Sequence, residues 1–148
     1  PDGHIGEVDA QSPTLYHNNI NRHISRLVRT RVATVHSPWL SSFQVGDVHT
    51  IAVSHGEGKF IVTPEMAKRL FENGQVAFQY CDEQGKPTMD PADNPNGSFY
   101  AIEGIVSPDG LILGKMGHSE RKGENLYKNV EGNKDQDIFR NAVEYFTK

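Results

Sequence analysis

The chain has 148 residues, of which 23% are charged and 36% are hydrophobic, and its formal net charge is −4. This length is enough for one domain with a hydrophobic core, and the negative charge argues against a protein that binds nucleic acid or an anionic membrane. No apolar stretch approaches the roughly 18 residues that a membrane-spanning helix requires, and the single cysteine, Cys81, excludes an internal disulfide framework and is typical of the reducing cytoplasm.

The first element predicted along the chain is a strand that begins near residue 25. Residues 1–23 are polar and rich in turn formers, so we predict a connecting loop there. Residues 25–35 then alternate, because β-branched side chains between Val28 and Thr34 face one way and a partly cationic set faces the other. This pattern predicts a strand that buries its β-branched face.

A basic run lies on this strand and just before it. It consists of Arg22, Arg26, Arg29 and Arg31. Such a run could bind phosphate, but on a strand it more often forms a solvated face or a surface against another domain. Because the net charge is negative, we expect a contact surface with another domain and no nucleic-acid partner.

The middle of the chain predicts three short strands and one helix. The strands fall at residues 49–53, 59–62 and 76–80. The helix lies between the second and third of these, where Thr63 provides an N-cap, Pro64 suits the first helical position and Gly74 marks the end.

The second half of the chain predicts a long loop, a hairpin and a final helix. The loop covers residues 82–97, the hairpin strands cover 99–106 and 111–115, and the helix covers about 135–146. Strands that alternate with helices predict the mixed α/β class, although the strand-rich middle leaves α+β open.

His118 and Glu120 are the most informative residues of the chain. They follow an apolar run and lie two positions apart, so an extended backbone points both side chains to the same side. A carboxylate beside a histidine fixes its tautomer and stabilises its charged form, which is two-thirds of a nucleophilic triad. Judged by spacing alone, an idle surface histidine near an acid remains the alternative.

A second candidate site is the turn His55-Gly56-Glu57-Gly58. The two glycines that flank the acid allow positive φ angles and let a ligand approach the backbone N–H groups closely. The functional interpretation is a pocket wall that holds a polar small molecule by main-chain groups. A plain hairpin turn is the alternative.

The sequence predicts no metal site and no convincing nucleophile. The seven histidines lack the spacing of a zinc site, and there is no second cysteine. Cys81 precedes Asp82 and Glu83, whose charges would raise the pKa of the thiol, so we interpret Cys81 as structural.

Several segments, taken together and in this order, resemble one known family. They are Asn18–Arg26, Val28–Val32, Ser37–Leu40, Ser54–Phe60, Asn94–Ser98 and Gly117–Arg121. These segments resemble the glutaminase domain of phosphoribosylformylglycinamidine synthase, which belongs to purine biosynthesis. That domain is a class I (triad-type) glutamine amidotransferase.

The resemblance implies a mixed, open α/β sheet flanked by helices and a catalytic Cys-His-Glu triad. In this family a cysteine on a glycine-flanked turn attacks the side-chain amide of glutamine, and the ammonia that leaves is protonated by the histidine, which the glutamate orients. By motif position the last two roles fall on His118 and Glu120. A proline often stands between them in the family, where this chain has Ser119, and we expect little effect from that difference.

The resemblance also assigns the glutamine substrate to the turn described above. Related amidotransferases bind the glutamine backbone at this position, so we expect binding by His55, Gly56, Gly58 and Phe60. Glu57 is expected to be structural.

The family's Gly-x-Cys elbow lies upstream of the segment that matches Pro1. We therefore expect residues 1–148 to be the C-terminal portion of a single glutaminase domain, inactive without the N-terminal half that carries the cysteine. In the parent enzyme, ammonia passes to a synthetase domain that uses ATP and Mg²⁺ to amidate formylglycinamide ribonucleotide. This segment itself is expected to hold no cofactor.

Two other functions are left open by the sequence. The first is a non-catalytic binding or regulatory module that keeps the family's loops without the nucleophile. The second is a metal-dependent hydrolase built on the histidines, which would contain stoichiometric metal.

Overall fold

The computed structural model describes residues 8–148, which contain seven strands and two α-helices. In chain order they are β1 (Thr14–Tyr16), β2 (Ile24–Val32), β3 (Val48–His55), β4 (Lys59–Ile61), α1 (Pro64–Glu72), β5 (Val76–Tyr80), β6 (Ile102–Val106), β7 (Leu113–Lys115) and α2 (Ile138–Phe146). Two short 3₁₀ turns lie at Pro38–Leu40 and Phe99–Ala101.

Five of the strands form one open sheet in the order β3-β2-β5-β6-β7, and β1 pairs separately with β4. The sheet curls so that its two edges meet. His118, which lies just past the end of β7, forms a bridge with Ala52 on the opposite edge strand, β3. The two edges of the sheet therefore meet where the sequence analysis placed the candidate catalytic residues.

The α/β class with an open sheet and flanking helices is confirmed. Within the described residues every ladder is antiparallel. The mixed character implied by the resemblance is therefore not seen in these ladders.

Strand β2 buries the face that the alternation predicts. Val28, Thr30 and Val32 are at most 4% exposed, and they pack inside the curled sheet. Arg29 and Arg31 alternate with these residues and are partly buried, and Arg26 and Arg29 hold the loop 82–97 of the same chain. Arg29 lies 3.2 Å from Glu83, and Arg26 donates to the carbonyl of Ala92.

Helix α1 begins and ends where the sequence predicts. The hydroxyl of Thr63 accepts a hydrogen bond from the backbone N–H of Met66 at 3.3 Å, and Pro64 occupies the first turn. The helix buries Ala67 and Leu70 in a cluster that also contains Ile102 of β6. Burial of a leucine side chain of this kind stabilises the fold by about 1.5–3 kcal/mol.

Helix α2 is only partly covered. Ile138 and Ala142 are buried, whereas Phe139 and Val143 are more than half exposed. No helix within the described residues is both long enough and apolar enough to span a bilayer.

Several predicted boundaries are wrong. Residues 1–23 were predicted as loop, but β1 lies among them and pairs with β4, while residues 1–7 lie outside the described part. The predicted hairpin strand at 99–106 starts only at Ile102, because Tyr100 and Ala101 have φ angles of 54° and 59°. Positive φ values do not fit a strand.

The second strand of the hairpin and the last helix are also shorter than predicted. The strand starts at Leu113, because the preceding residues belong to the turn, where the backbone N–H of Leu111 donates to Asp109 and that of Ile112 to the Ser107 hydroxyl. Helix α2 starts at Ile138.

Candidate functional site

His118 and Glu120 form a close pair at the seam where the sheet edges meet. The Nδ1 atom of His118 lies 2.6 Å from the Oε1 atom of Glu120. The backbone N–H of His118 donates to the carbonyl of Ala52 in β3 at 2.8 Å, which fixes the chain direction at this point. The side chain of His118 is 31% exposed, so the ring is accessible from solvent while it is held on one side.

Glu120 is a carboxylate at neutral pH. Its slight burial raises the pKa, but hydrogen bonds from its own backbone N–H and from His118, together with the charges of His118 and Arg121, outweigh burial and leave the pKa below its ordinary value. An ionised Glu120 holds a proton on Nδ1 of His118, which leaves Nε2 as the atom that can accept a proton.

A buried, charged network lies directly beneath this pair. Lys115 Nζ lies 3.3 Å from Glu103 Oε1, and the two side chains are 8% and 0% exposed. Both groups also bind the backbone of Gly117, since the carboxylate accepts its N–H at 2.5 Å and the ammonium donates to its carbonyl at 2.8 Å. We call Glu103, Lys115, Ser119 and Gln136 the charged network.

Ser119 extends the charged network across the interior of the curled sheet. Its hydroxyl accepts from Lys115 Nζ at 3.1 Å and donates to Gln136 Oε1 at 2.6 Å, and the amide of Gln136 reaches Thr30 of β2 at 3.5 Å. The residues on both sides of His118 are therefore anchored to the core.

The turn His55–Gly58 is fixed by a second set of buried side chains that carry no charge. The N–H of Gly58 donates to Asn18 Oδ1 at 3.1 Å, and its carbonyl accepts from Asn96 Nδ2 at 3.1 Å and from the Ser98 hydroxyl at 3.2 Å. Asn96 also donates to the hydroxyl of Tyr80 at 2.6 Å. We call Asn18, Tyr80, Asn96 and Ser98 the amide network.

Gly58 has a steric role in this turn. A Cβ atom at Gly58 would lie 2.1 Å from Cε1 of His55, so the His55 ring packs closer to this backbone than a side chain would allow. At Gly56 an added Cβ would meet nothing within 4 Å. Of the two predicted glycines, therefore, only Gly58 is required by packing, and Gly56 faces open space.

His55 itself is a neutral, enclosed ring. Both ring nitrogens are buried and have no hydrogen-bond partner among the described residues. Burial lowers the pKa of His55, and the charges of His118 and His23 lower it further, although its own backbone and Glu103 oppose them. The two predicted parts of the site therefore adjoin one strand, β3, and the charge of His118 acts on His55.

The remaining predicted residue, Phe60, lies farther inside. Its ring is 8% exposed in the cluster beneath α1, and its N–H donates to the hydroxyl of Ser98. It also lines a cavity of about 280 Å³ together with Leu15, Ile102 and Met116.

A cavity of about 390 Å³ adjoins the His118–Glu120 pair. Trp39, Met116 and Phe139 contribute apolar walls to it, and His118 and Glu120 contribute the polar side. A site of this composition suits a small molecule with one reactive polar group.

Cys81 is not part of this site. It is fully buried, and burial, followed by the charge of Asp82, raises the pKa of its thiol to about 11. The direction agrees with the sequence prediction, but burial contributes more than the neighbouring carboxylates. Across residues 8–148, no three His, Cys, Asp or Glu side chains are grouped so that they could hold a metal ion.

Neither buried network was predicted from the sequence. A signal for one of them was present, because Glu103 interrupts the apolar run from Ile102 to Val106 and a charge within a buried strand requires a partner. Lys115, in the other hairpin strand, was the available partner. Asn18 and Asn96 gave no comparable signal, because each contacts Gly58 from about 40 residues away in sequence.

Comparison with known proteins identifies the family of this chain. A family model described as the CobB/CobQ-like glutamine amidotransferase domain matches residues 1–146. The phosphoribosylformylglycinamidine synthase subunit PurQ of Methanosarcina mazei is 41% identical over 117 residues, which cover 79% of this chain and 48% of that protein. The corresponding subunit of Synechocystis is 35% identical over 128 residues, covering 86% of this chain and 56% of that protein.

A solved structure shares the fold. It is described as the structure of PurLQS from Thermotoga maritima, and it matches with a TM-score of 0.67 and 22% identity over 91% of this chain and 53% of that one. The chain spans about half the length of the relatives it matches. Because the family model covers nearly all 148 residues, the chain belongs to the CobB/CobQ-like glutamine amidotransferase domain family.

Proposed function

We propose that this chain supplies the histidine and the carboxylate of a Cys-His-Glu glutaminase site in a phosphoribosylformylglycinamidine synthase. The observation that carries the proposal is the 2.6 Å contact between His118 Nδ1 and Glu120 Oε1 beside a cavity of small-molecule size. Family membership supports glutamine as the substrate, and the names of the relatives support the enzyme.

The chemistry assigned to His118 is the transfer of one proton in each half of the reaction. Nε2 takes the proton of a cysteine thiol as the sulfur attacks the amide carbon of glutamine, and the imidazolium then gives that proton to the departing ammonia. The thioester that remains is attacked by water, which Nε2 deprotonates, and the same proton returns to the sulfur as glutamate leaves. Glu120 stabilises the imidazolium in both halves.

The nucleophile is proposed to come from outside these 148 residues. Cys81 is excluded by full burial and a pKa of about 11, since only a thiolate attacks an amide. We propose that the chain is the C-terminal portion of a single glutaminase domain and has no glutaminase activity without the elbow cysteine. The relatives, about twice as long as the matched segment, have room for such an elbow.

The turn from His55 to Gly58 and Phe60 is proposed to form the glutamine-binding side of the site. The amide network fixes the backbone of Gly58, and Gly56 leaves space beside the turn for a ligand. Since Gly58 and Phe60 donate their N–H groups within the chain, their role is to shape the turn while Gly56 and His55 lie nearer the ligand.

The ammonia is proposed to serve a synthetase partner that amidates formylglycinamide ribonucleotide with ATP and Mg²⁺. We assign ATP and Mg²⁺ to that partner, as the resemblance to the synthase implies. The name PurLQS of the solved structure with the same fold supports a multi-component assembly. We place the enzyme in the cytoplasm, because a reducing compartment keeps a thiol nucleophile free.

The proposal is tested by glutamine hydrolysis in the full-length protein. His118→Ala is expected to lower the rate of glutamate release by about 10²-fold or more, because a general acid and base is removed. His36→Ala is the matched control, since His36 is exposed and has no carboxylate partner in the part of the chain that the structure describes. When ammonia is added in place of glutamine, the synthetase partner should amidate formylglycinamide ribonucleotide at the same rate with both variants.

The outcomes separate the proposed function from its alternative. Equal glutamate release by the unsubstituted protein and by His118→Ala would remove His118 from the mechanism. A full-length protein that binds glutamine but releases no glutamate would indicate a non-catalytic binding module.

A further inference from the structure

The buried pair Glu103 and Lys115 has no part in the proton transfers assigned above. Its two side chains are 0% and 8% exposed, and burial lowers the pKa of Lys115 while Glu103 raises it. A buried ion pair is a weak source of stability, because the desolvation of both charges offsets their attraction and apolar residues of similar size often do as well. Its directional bonds are what apolar residues cannot replace.

Those directional bonds converge on the backbone that carries His118. Glu103 accepts the N–H of Gly117, and Lys115 donates to the carbonyl of the same residue. Lys115 also donates to the hydroxyl of Ser119, the residue after His118. The peptide groups on both sides of the histidine are thereby tied to one ion pair.

Two side chains pack closely against the backbone of Gly117. A Cβ atom at Gly117 would lie 2.0 Å from Cδ1 of Ile51 and 2.8 Å from Oε1 of Glu103. The carboxylate therefore approaches the backbone as closely as a glycine permits. The bond from the His118 N–H to Ala52 adds a third anchor.

We propose that Glu103, Lys115 and Ser119 form a positioning unit that sets the location of the His118 imidazole for proton transfer. The proposal rests on the glutaminase function proposed above and deepens it. Displacement of a catalytic group by about 1 Å can lower a rate by about 10²-fold, so a fixed loop backbone has a direct effect on turnover. Lys115 and Ser119 also line the cavity beside His118, but their polar atoms bond to Gly117, to Gln136 and to each other, so the proposal assigns them no bond to the substrate.

The principal test is Lys115→Met in the full-length protein, made both alone and together with His118→Ala. Alone, it is expected to lower kcat for glutamine hydrolysis about 10-fold, with the KM for glutamine changed less than about 2-fold, because a displaced proton carrier affects turnover and leaves binding intact. In the His118→Ala background it is expected to cause no further loss, since the group being positioned is absent.

A merely structural role gives a different pattern. Lys115→Met would then lower the rate by the same factor in both backgrounds, and this result would overturn the proposal, as would an unchanged kcat in the single variant. Lys68→Met is the matched control, because Lys68 pairs with Glu72 on the exposed face of α1 and its side chain is 74% exposed. Its kcat should equal that of the unsubstituted protein.

A milder variant keeps the proposal testable if Lys115→Met does not fold. Ser119→Ala removes one anchor without leaving a buried charge unpaired, and kcat should fall about 3-fold in the presence of His118 and not at all in its absence. No fall in kcat, or an equal fall in both backgrounds, would refute the positioning role. A His118→Ala variant as active as the unsubstituted protein would instead refute the proposed function, and the positioning unit with it.

Discussion

The two turns of the candidate site are held by buried polar side chains of different kinds. Beneath the His118 turn the charged network uses an ammonium and a carboxylate, whereas beneath the His55 turn the amide network uses two asparagines, a serine and a tyrosine hydroxyl. Each network bonds both the N–H and the carbonyl of one glycine, Gly117 or Gly58. The backbone of each glycine is therefore held by buried polar side chains, which are charged in one network and neutral in the other.

The two networks differ in how much stability the fold loses when one member is removed. Removal of one partner of a buried ion pair leaves an uncompensated charge, which costs several kcal/mol, whereas removal of one amide leaves neutral groups with smaller desolvation costs. Each network also leaves one buried oxygen without a partner among the described residues, Oε2 of Glu103 and Oδ1 of Asn96. Because the loss of one member costs more where a charge remains, the charged network tolerates substitution less well.

The largest effect is expected from Glu103→Ala. Loss of the carboxylate leaves Lys115 buried without its counter-charge, and the free energy of unfolding should fall by about 3–5 kcal/mol. Replacement of both residues, as Glu103→Leu with Lys115→Met, should recover most of this loss because no buried charge remains. Urea unfolding followed by Trp39 fluorescence provides the measurement, and a double variant as unstable as the single one would show that the charges are not coupled.

The corresponding change in the amide network is Asn96→Ala. It removes the bonds to the Gly58 carbonyl and to the Tyr80 hydroxyl, and we expect a loss of about 1–3 kcal/mol. Ser98 still bonds the same carbonyl, which limits the damage. The comparison of the two networks fails if this variant proves less stable than Glu103→Ala under the same urea conditions.

A steric change at the His55 turn sharpens the contrast further. Gly58→Ala places a methyl group against the His55 ring, so it should cost about 1–2 kcal/mol of stability and raise the KM for glutamine. Gly56→Ala is the matched control for stability, since its Cβ meets nothing within 4 Å. The melting temperatures of the two variants provide the measurement. Equal values would mean that the turn accommodates the methyl group without a loss of stability.

The sequence predicted the parts of the site that depend on local geometry. The spacing of two between His118 and Glu120 was enough to place both side chains on one side, and the structure joins them at 2.6 Å. The cap of α1 was equally local, since Thr63 and Met66 are three residues apart. The catalytic roles of His118 and Glu120, by contrast, stay predictions.

The buried networks could not be predicted because they depend on the curl of the sheet. Alternation along a strand shows which face is buried, but it does not show which residues from other strands meet there. Gln136 reaches Thr30 across 106 positions, and His118 meets Ala52 only because the last strand returns to the first edge. Such contacts are set by the topology of the whole sheet.

The effect expected to be smallest at neutral pH comes from His49, a buried histidine within reach of the charge of Lys115. The ring is 2% exposed, its Nδ1 has no partner among the described residues, and it packs against Phe43. Burial lowers the pKa of His49, Lys115 lowers it further, and Asp47, Asp135 and Asp137 oppose them. The folded state therefore holds this ring neutral.

The sign of the pH dependence follows from that shift. The unfolded chain binds a proton near pH 6.5 and the folded chain only at a lower pH, so stability is full above about pH 6.5 and is lost as the pH falls through the folded pKa. His49→Leu should reduce the dependence of the melting temperature on pH between about 7 and 5, whereas His36→Leu, at an exposed site, should leave it unchanged. An unaltered slope in His49→Leu would place the acid sensitivity elsewhere. Because the amide network contains no group that titrates in this range, Asn96→Ala should keep the slope of the unsubstituted protein.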